Sequence, residues 1–310
     1  MLKDITLSQY YPVESPVHRL DPRVKILLTI AFIVGVFLAK SLLGFLPVIA
    51  FIVLAAYASH LPLKLLAKGL KPLRFILIFT FLLNLFFSPG DTVLVHVWRI
   101  QITLEGLLTA LRFSARLIFL VTGASLLTLT TPPVVLTDGL ERLLSPFAKI
   151  GFPAHELAMM MTIALRFIPT LLEEADKIMK AQMARGADFE SGNIIQRAKA
   201  MVPLLVPLFI SAFRRAGDLA MAMEARCYHG GEGRTRLRIL KLTRADAVAT
   251  LITAAMIALV AGIGKKLRML KELPKQDSSF LLFTSPHPWL RAIRLQRQTA
   301  GYSRRNRHPH

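Results

Sequence analysis

The sequence predicts an all-α, polytopic integral membrane protein with about five transmembrane helices and long amphipathic cytoplasmic helices. Three observations carry that prediction. The chain is 54% hydrophobic with a mean hydropathy of +0.50, a combination soluble domains rarely show. Its apolar runs are long enough to cross a bilayer and are flanked by Lys and Arg, giving a formal net charge of +20 and a pI of about 10.7. From Val134 to Tyr228 the pattern changes, and apolar stretches alternate with charged turns as in helices that lie at a membrane surface. Basic charge alone would suggest nucleic acid. Basic ends on apolar segments instead follow the positive-inside rule, so nucleic acid is not an expected partner. The single cysteine, Cys227, excludes an intrachain disulfide and any CxxC metal site.

Residues 1–131 form a polar lead and four spans. The lead has no apolar stretch of the kind a cleavable signal carries, and Arg19, Arg23 and Lys25 stand directly before the first apolar run, which argues for a cytoplasmic N-terminus. Ile26 to Ser59 is too long for one span and fits two short ones with a turn near Lys40. Lys64, Lys68, Lys71 and Arg74 among leucines predict a basic amphipathic surface segment, and Phe75 to Phe87 predicts the third span. Ser88-Pro89-Gly90-Asp91 signals a turn, and the alternation from Thr92 to Thr103 predicts a short external hairpin. Leu117 to Leu129 is the fourth span. Arg112 and Arg116, four residues apart before it, fit either interfacial anchoring or a polar contact within a complex.

Residues 132–245 form the amphipathic region. Asp138-Gly139-Leu140-Glu141-Arg142 is expected to open its first helix. Ala154 to Arg185 makes the second, bent at Pro169, and Asn193 to Arg226 the third, bent around Pro203 and Pro207. A surface position and two further spans are both open for this pair; short apolar cores closely flanked by charge argue for the surface. Residues 246–264 contain the final span, Ala247 to Ile263, and 265–310 a basic tail without sustained periodicity. Five spans from a cytoplasmic N-terminus put that tail outside, against the positive-inside rule.

Both long helices end on the same pattern. Ala181-Gln182-Met183-Ala184-Arg185-Gly186 and Ala222-Met223-Glu224-Ala225-Arg226-Cys227 share A-x-x-A-R followed by a small residue, and each runs into a Gly-containing polar segment. Arg suits the negative end of the helix dipole, and Gly186, or later Gly230-Gly231, can take the left-handed conformation that closes a helix. One such Arg is ordinary capping. Two on similar helices read as two plugs for two similar sockets.

Catalytic patterns are missing. There is no G-x-x-x-x-G-K-[ST] for ATP, and the Gly262-Ile263-Gly264-Lys265-Lys266 run lacks its spacing and hydroxyl. His155-Glu156 begins a zinc-protease motif that Met159 breaks, and the Gly230 to Gly233 cluster follows no predicted strand. Met159-Met160-Met161 reads as adaptable packing. No cofactor is expected on this chain.

The paired A-R motifs, the lead from Ser15-Pro16-Val17-His18-Arg19-Leu20-Asp21-Pro22-Arg23 to Lys25, and Tyr228 running into Gly230-Gly231-Glu232-Gly233 resemble the transmembrane T component of energy-coupling factor transporters, the CbiQ family, over about Leu7 to Ile263. That resemblance implies a scaffold in the cell (inner) membrane between two cytoplasmic ABC ATPases, which would hold ATP and Mg, and a small substrate-binding membrane subunit, for uptake of vitamins or transition-metal ions. It also implies that Ala184, Arg185 and Gly186, with Ala225, Arg226 and Cys227, dock in the ATPases. Cys227 departs from the Gly common there. A self-sufficient secondary transporter and a membrane-embedded enzyme are the alternatives; each needs intramembrane acids or convergent His, Asp and Glu that the sequence does not display.

Overall fold

The computed structural model describes residues 10–88, 93–97, 100–189, 193–230 and 241–283. These are almost entirely helical: α1 Pro22–Leu38, α2 Leu46–Ala58, α3 Leu63–Leu70, α4 Arg74–Phe87, α5 Leu104–Thr130, α6 Pro133–Leu144, α7 Ala154–Ala184, α8 Ile194–Glu224 and α9 Arg244–Phe283. The expected hairpin is present as β1 Val93–Val97 antiparallel to β2 Ile100–Thr103, with Val97 opposite Ile100. Its turn residues and the basic tail beyond Phe283 lie outside the described residues, as do residues 231–240.

Five helices are long and apolar enough to cross a membrane, but they are not the five the sequence suggests. They are Lys64–Phe87, Leu104–Thr130, Ala154–Ala184, Ile195–Glu224 and Arg244–Leu267. The Ile26 to Ser59 run divides into 17 and 13 helical residues, α1 and α2, each short for a full span. The basic segment and the third span instead join end to end through a 3-10 turn, Lys71–Leu73, between α3 and α4. A second correction concerns α6, which starts at Pro133 and not at Asp138. Proline has no N–H to lose at the first helical position, so Pro132-Pro133 both ends α5 and begins the next helix.

One buried polar node orders the bundle. Asp21 caps α1, accepting from the Arg23 backbone N–H at 2.9 Å and pairing with its guanidinium at 2.9 Å, with Pro22 at the first helical position. The Asp21 N–H donates to Asp246 Oδ1 at 2.8 Å, and Asp246 Oδ2 accepts from the Thr243 N–H (2.7 Å) and hydroxyl (2.8 Å) at the start of α9. Lys25, only 6% exposed, donates to the carbonyls of His18 (3.1 Å) and Thr130 (3.0 Å) and to Thr131 Oγ1 (3.1 Å). The lead folds across this node: the Tyr11 N–H donates to the Leu129 carbonyl at 3.0 Å, and Ser15 Oγ and His18 Nδ1 lie 2.6 Å apart. Burial holds the His18 imidazole below its ordinary pKa.

From the node the apolar faces pack in order. Phe32 and Val36 of α1 meet Val48 and Ile52 of α2 and Met256 and Val260 of α9 in one core. Asp21 lies beside Asp246, and Gly35 lies against Met256 and Ile257, so α1 and α9 run parallel. Helix α9 therefore carries Lys265 and Lys266 to the face opposite the node. At that opposite face Arg112 donates to the Lys40 carbonyl and Arg116 to the Ala39 carbonyl, both at 3.0 Å. The Arg116 guanidinium also sits over the Phe37 ring at 5.4 Å. The two arginines thus satisfy carbonyls freed where α1 stops, a contact inside this chain in place of anchoring to lipid.

Gly123 of α5 packs against Phe32 of α1. A Cβ there would overlap the ring of Phe32. Gly123→Ala is expected to cost about 2 kcal/mol by overpacking, seen as a lower thermal midpoint in detergent, and Phe32→Leu in the same chain should recover part of the loss. Additive losses in the double variant would show that the two residues do not meet.

Candidate functional site

Each long helix closes in a Schellman motif, and the two motifs match bond for bond. At the end of α7, the Ala187 N–H donates to the Gln182 carbonyl and the Gly186 N–H to the Met183 carbonyl, both at 3.0 Å, with Gly186 at φ +88°. At the end of α8, the Tyr228 N–H donates to the Met223 carbonyl at 3.0 Å and the Cys227 N–H to the Glu224 carbonyl at 2.8 Å, with Cys227 at φ +54°. These are the six-to-one and five-to-two bonds that end a helix on one left-handed residue. The expectation that Gly230-Gly231 closes the second helix is therefore corrected. Cys227 does it three residues earlier, taking a conformation that costs a residue with a Cβ about 1 kcal/mol. Gly230 is also left-handed, at φ +98°, but lies beyond the motif.

The same geometry presents Arg185 and Arg226 from equivalent positions. Ala184, Arg185 and Gly186 are exposed, as are Ala225, Arg226 and Cys227. Neither guanidinium has a hydrogen bond or ion pair within this chain among the described residues. Two permanently charged planar forks are thus held out at rigid helix ends with their donors unspent.

The helices that carry them pack antiparallel. Tyr228, just past the end of α8, lies beside His155 at the start of α7, and Glu174 pairs with Arg215 at 3.0 Å further along. Between these points Phe167 and Leu171 face Ala212 and Leu219 across a shallow apolar groove. Arg226 therefore sits near the start of α7 and Arg185 at its other end, about 45 Å away along a helix rising 1.5 Å per residue. Pro169 does not end α7, nor Pro203 and Pro207 α8; each helix continues for 31 residues. The outer face of the pair is apolar and uncovered, with Met160, Val202, Val206, Phe209, Ile210 and Phe213 all exposed.

The partner of His155 is not visible in the sequence. Its Nδ1 meets Glu141 Oε1 of α6 at 2.8 Å, across helices, and not the adjacent Glu156. Among the described residues no cluster of three His, Cys, Asp or Glu could hold a metal ion. The Gly231 to Gly233 part of the glycine cluster lies outside the described residues.

Residues 13–237 match the family model described as cobalt transport protein, CbiQ. Relatives named energy-coupling factor transporter transmembrane protein EcfT match most of the chain. The one from Acidaminococcus fermentans is 58% identical over 261 residues, covering 84% of this chain and 97% of the relative. That from Thermosediminibacter oceani is 56% identical over 255 residues, covering 82% and 96%. That from Clostridium kluyveri is 53% identical over 260 residues, covering 84% and 96%.

Cys227→Gly should remove the left-handed strain and stabilise the α8 end by about 1 kcal/mol, and Gly186→Ala should destabilise the α7 end by a similar amount. Hydrogen exchange at the Tyr228 and Ala187 amides, which close the two motifs, reads each end separately. Faster exchange at Tyr228 in Cys227→Gly would contradict the assignment.

Proposed function

The chain belongs to the CbiQ family of cobalt transport proteins, and from that premise we propose that it is the transmembrane scaffold of an energy-coupling factor importer in the cell membrane. It is a non-catalytic subunit. Arg185 and Arg226 dock in two cytoplasmic ABC ATPases, which bind ATP and Mg, and the uncovered apolar faces receive a small substrate-binding membrane subunit for a vitamin or a transition-metal ion.

The observation that carries this reading is the pair of matching helix ends, each with an unpartnered arginine, at opposite ends of an antiparallel pair. Equivalent plugs far apart suit two copies of one kind of socket better than one site. The same geometry bears on whether α7 and α8 cross the membrane. If they did, the two arginines would face opposite compartments and could not both meet cytoplasmic ATPases. Docking by both requires the pair to lie along the cytoplasmic surface, where its charged and apolar faces each find a suitable solvent.

Charge supports the orientation. On the node side of the bundle lie Arg19 and Arg23, and α2 returns there before Lys64, Lys68, Lys71 and Arg74. That face is cytoplasmic by the positive-inside rule, so the N-terminus is cytoplasmic and α9 leaves on the outside. ATP-driven changes in the separation of two ATPases would then reach the bundle through α7 and α8 as levers.

An arginine that fills a partner groove makes several charge-assisted hydrogen bonds, so Arg185→Ala and Arg226→Ala should each cost about 2 kcal/mol in ATPase association. Lys should rescue poorly because it keeps the charge and loses the fork. Co-purification and uptake measure this; wild-type assembly by the double Ala variant would end the docking reading. Separately, the purified chain alone should neither bind nor hydrolyse ATP, and turnover that tracks the pure chain would count against a scaffold.

A further inference from the structure

The two docking ends match in backbone but differ in what holds them. Tyr228, whose N–H closes the Schellman motif behind Arg226, directs its hydroxyl at His155 Nε2 at 3.5 Å. His155 Nδ1 meets Glu141 Oε1 at 2.8 Å, and Glu141 is 8% exposed. The ring thus bridges two elements, with Nδ1 on the Glu141 carboxylate and Nε2 facing the phenol. The chain continues into the membrane half. Glu141 lies on α6, where Gly139, two residues earlier, packs so closely on Pro22 and the Arg23 backbone that a Cβ would meet Pro22 at 3.0 Å. Thr137 and Thr162 hydroxyls, 3.2 Å apart, hold α6 to α7 one turn further on.

Among the described residues, the last ten positions of α7 carry no comparable tie. Past the Glu174–Arg215 pair, no side-chain hydrogen bond or ion pair joins residues 175–184 to another element among the described residues; Lys180 pairs only with Asp176 of its own helix, at 3.5 Å.

Resting on the docking reading above, we infer that Arg226 and Arg185 have unequal mechanical roles. Glu141, His155 and Tyr228 are positioning residues that strap the Arg226 end to the start of α1, making it the fixed pivot, while Arg185 rides on the free end of α7 and moves with its ATPase. The strap converts separation of the two ATPases into rotation of α7 about its first turn, beside Arg226. Without it, both ends would drift and hydrolysis would not turn the bundle.

The test uses the assembled transporter in lipid nanodiscs, in a Cys227→Gly background, with spin labels at Lys68→Cys in the bundle and at either Asp218→Cys or Lys177→Cys, the same number of residues before each arginine. On nucleotide binding, the 68–218 distance should stay constant while the 68–177 distance shifts. Tyr228→Phe should broaden the 68–218 distribution and cut uptake per ATP hydrolysed about five-fold, the effect of losing one hydrogen bond. His155→Asn keeps the donor to Glu141 and loses Nε2, so it should match Tyr228→Phe and add nothing to it; Glu141→Gln, which keeps an acceptor oxygen, should stay near the parent. Equal movement of both distances in the parent, or a Tyr228→Phe variant with parental coupling, would overturn the inference. Co-purification of the ATPases in the same samples reports docking independently, so loss of docking and loss of the strap are told apart.

Discussion

The buried ammonium of Lys25 is the constraint on which the order of the bundle depends. Its three donors are all spent, on the lead, on the last carbonyl of α5 and on Thr131. Its charge is balanced nearby, since Asp21 and Asp246 offset Lys25 and Arg23 within one polar cluster. A buried charge of this kind is costly unless every member is present. The consequence is topological. The starts of α1 and α9 and the end of α5 are held at one level, and each helix must leave that level in a fixed direction. With α1 and α9 locked parallel, the side on which α6, α7 and α8 emerge follows without further choice.

The opposite face solves a different problem. Helix α1 stops after 17 residues and leaves carbonyls unpaired in apolar surroundings. Arg112 and Arg116 supply the missing donors from α5. The two clusters therefore divide the labour. One set of charges fixes where helices begin, and the other lets a short helix end without a loop that exposes backbone to lipid. Helices α7 and α8 use a third device, the left-handed residue, to stop abruptly and leave an arginine clear of the helix body.

Much of this was legible in the sequence, and the gaps have physical causes. Composition and span length gave the membrane class, and the repeated A-x-x-A-R pattern located both helix ends to within two residues. Cys227 was not legible as the closing residue, because single-residue preferences assign left-handed positions to Gly, and it is the hydrogen bonds to Met223 and Glu224 that override them. The Pro133 start lies five residues before the expected opening at Asp138, because proline fits the first helical position and lacks only a donor that the helix would leave unpaired. Arg112 and Arg116 admitted two roles since their acceptors, Ala39 and Lys40, are some seventy residues distant in sequence. The antiparallel order of α7 and α8, which separates the two arginines, is a tertiary fact with no local signature.

That antiparallel order makes the surface position of α7 and α8 the central claim, because the proposed docking needs both arginines on one side of the membrane. Accessibility to a membrane-impermeant maleimide tests it directly. In a Cys227→Gly background, Met183→Cys and Met221→Cys place one exposed thiol near each arginine. Lying along the cytoplasmic surface, both are labelled in inside-out vesicles and neither in right-side-out vesicles. Labelling of the two positions from opposite sides would mean that the helices cross the membrane, and the scaffold account would fail.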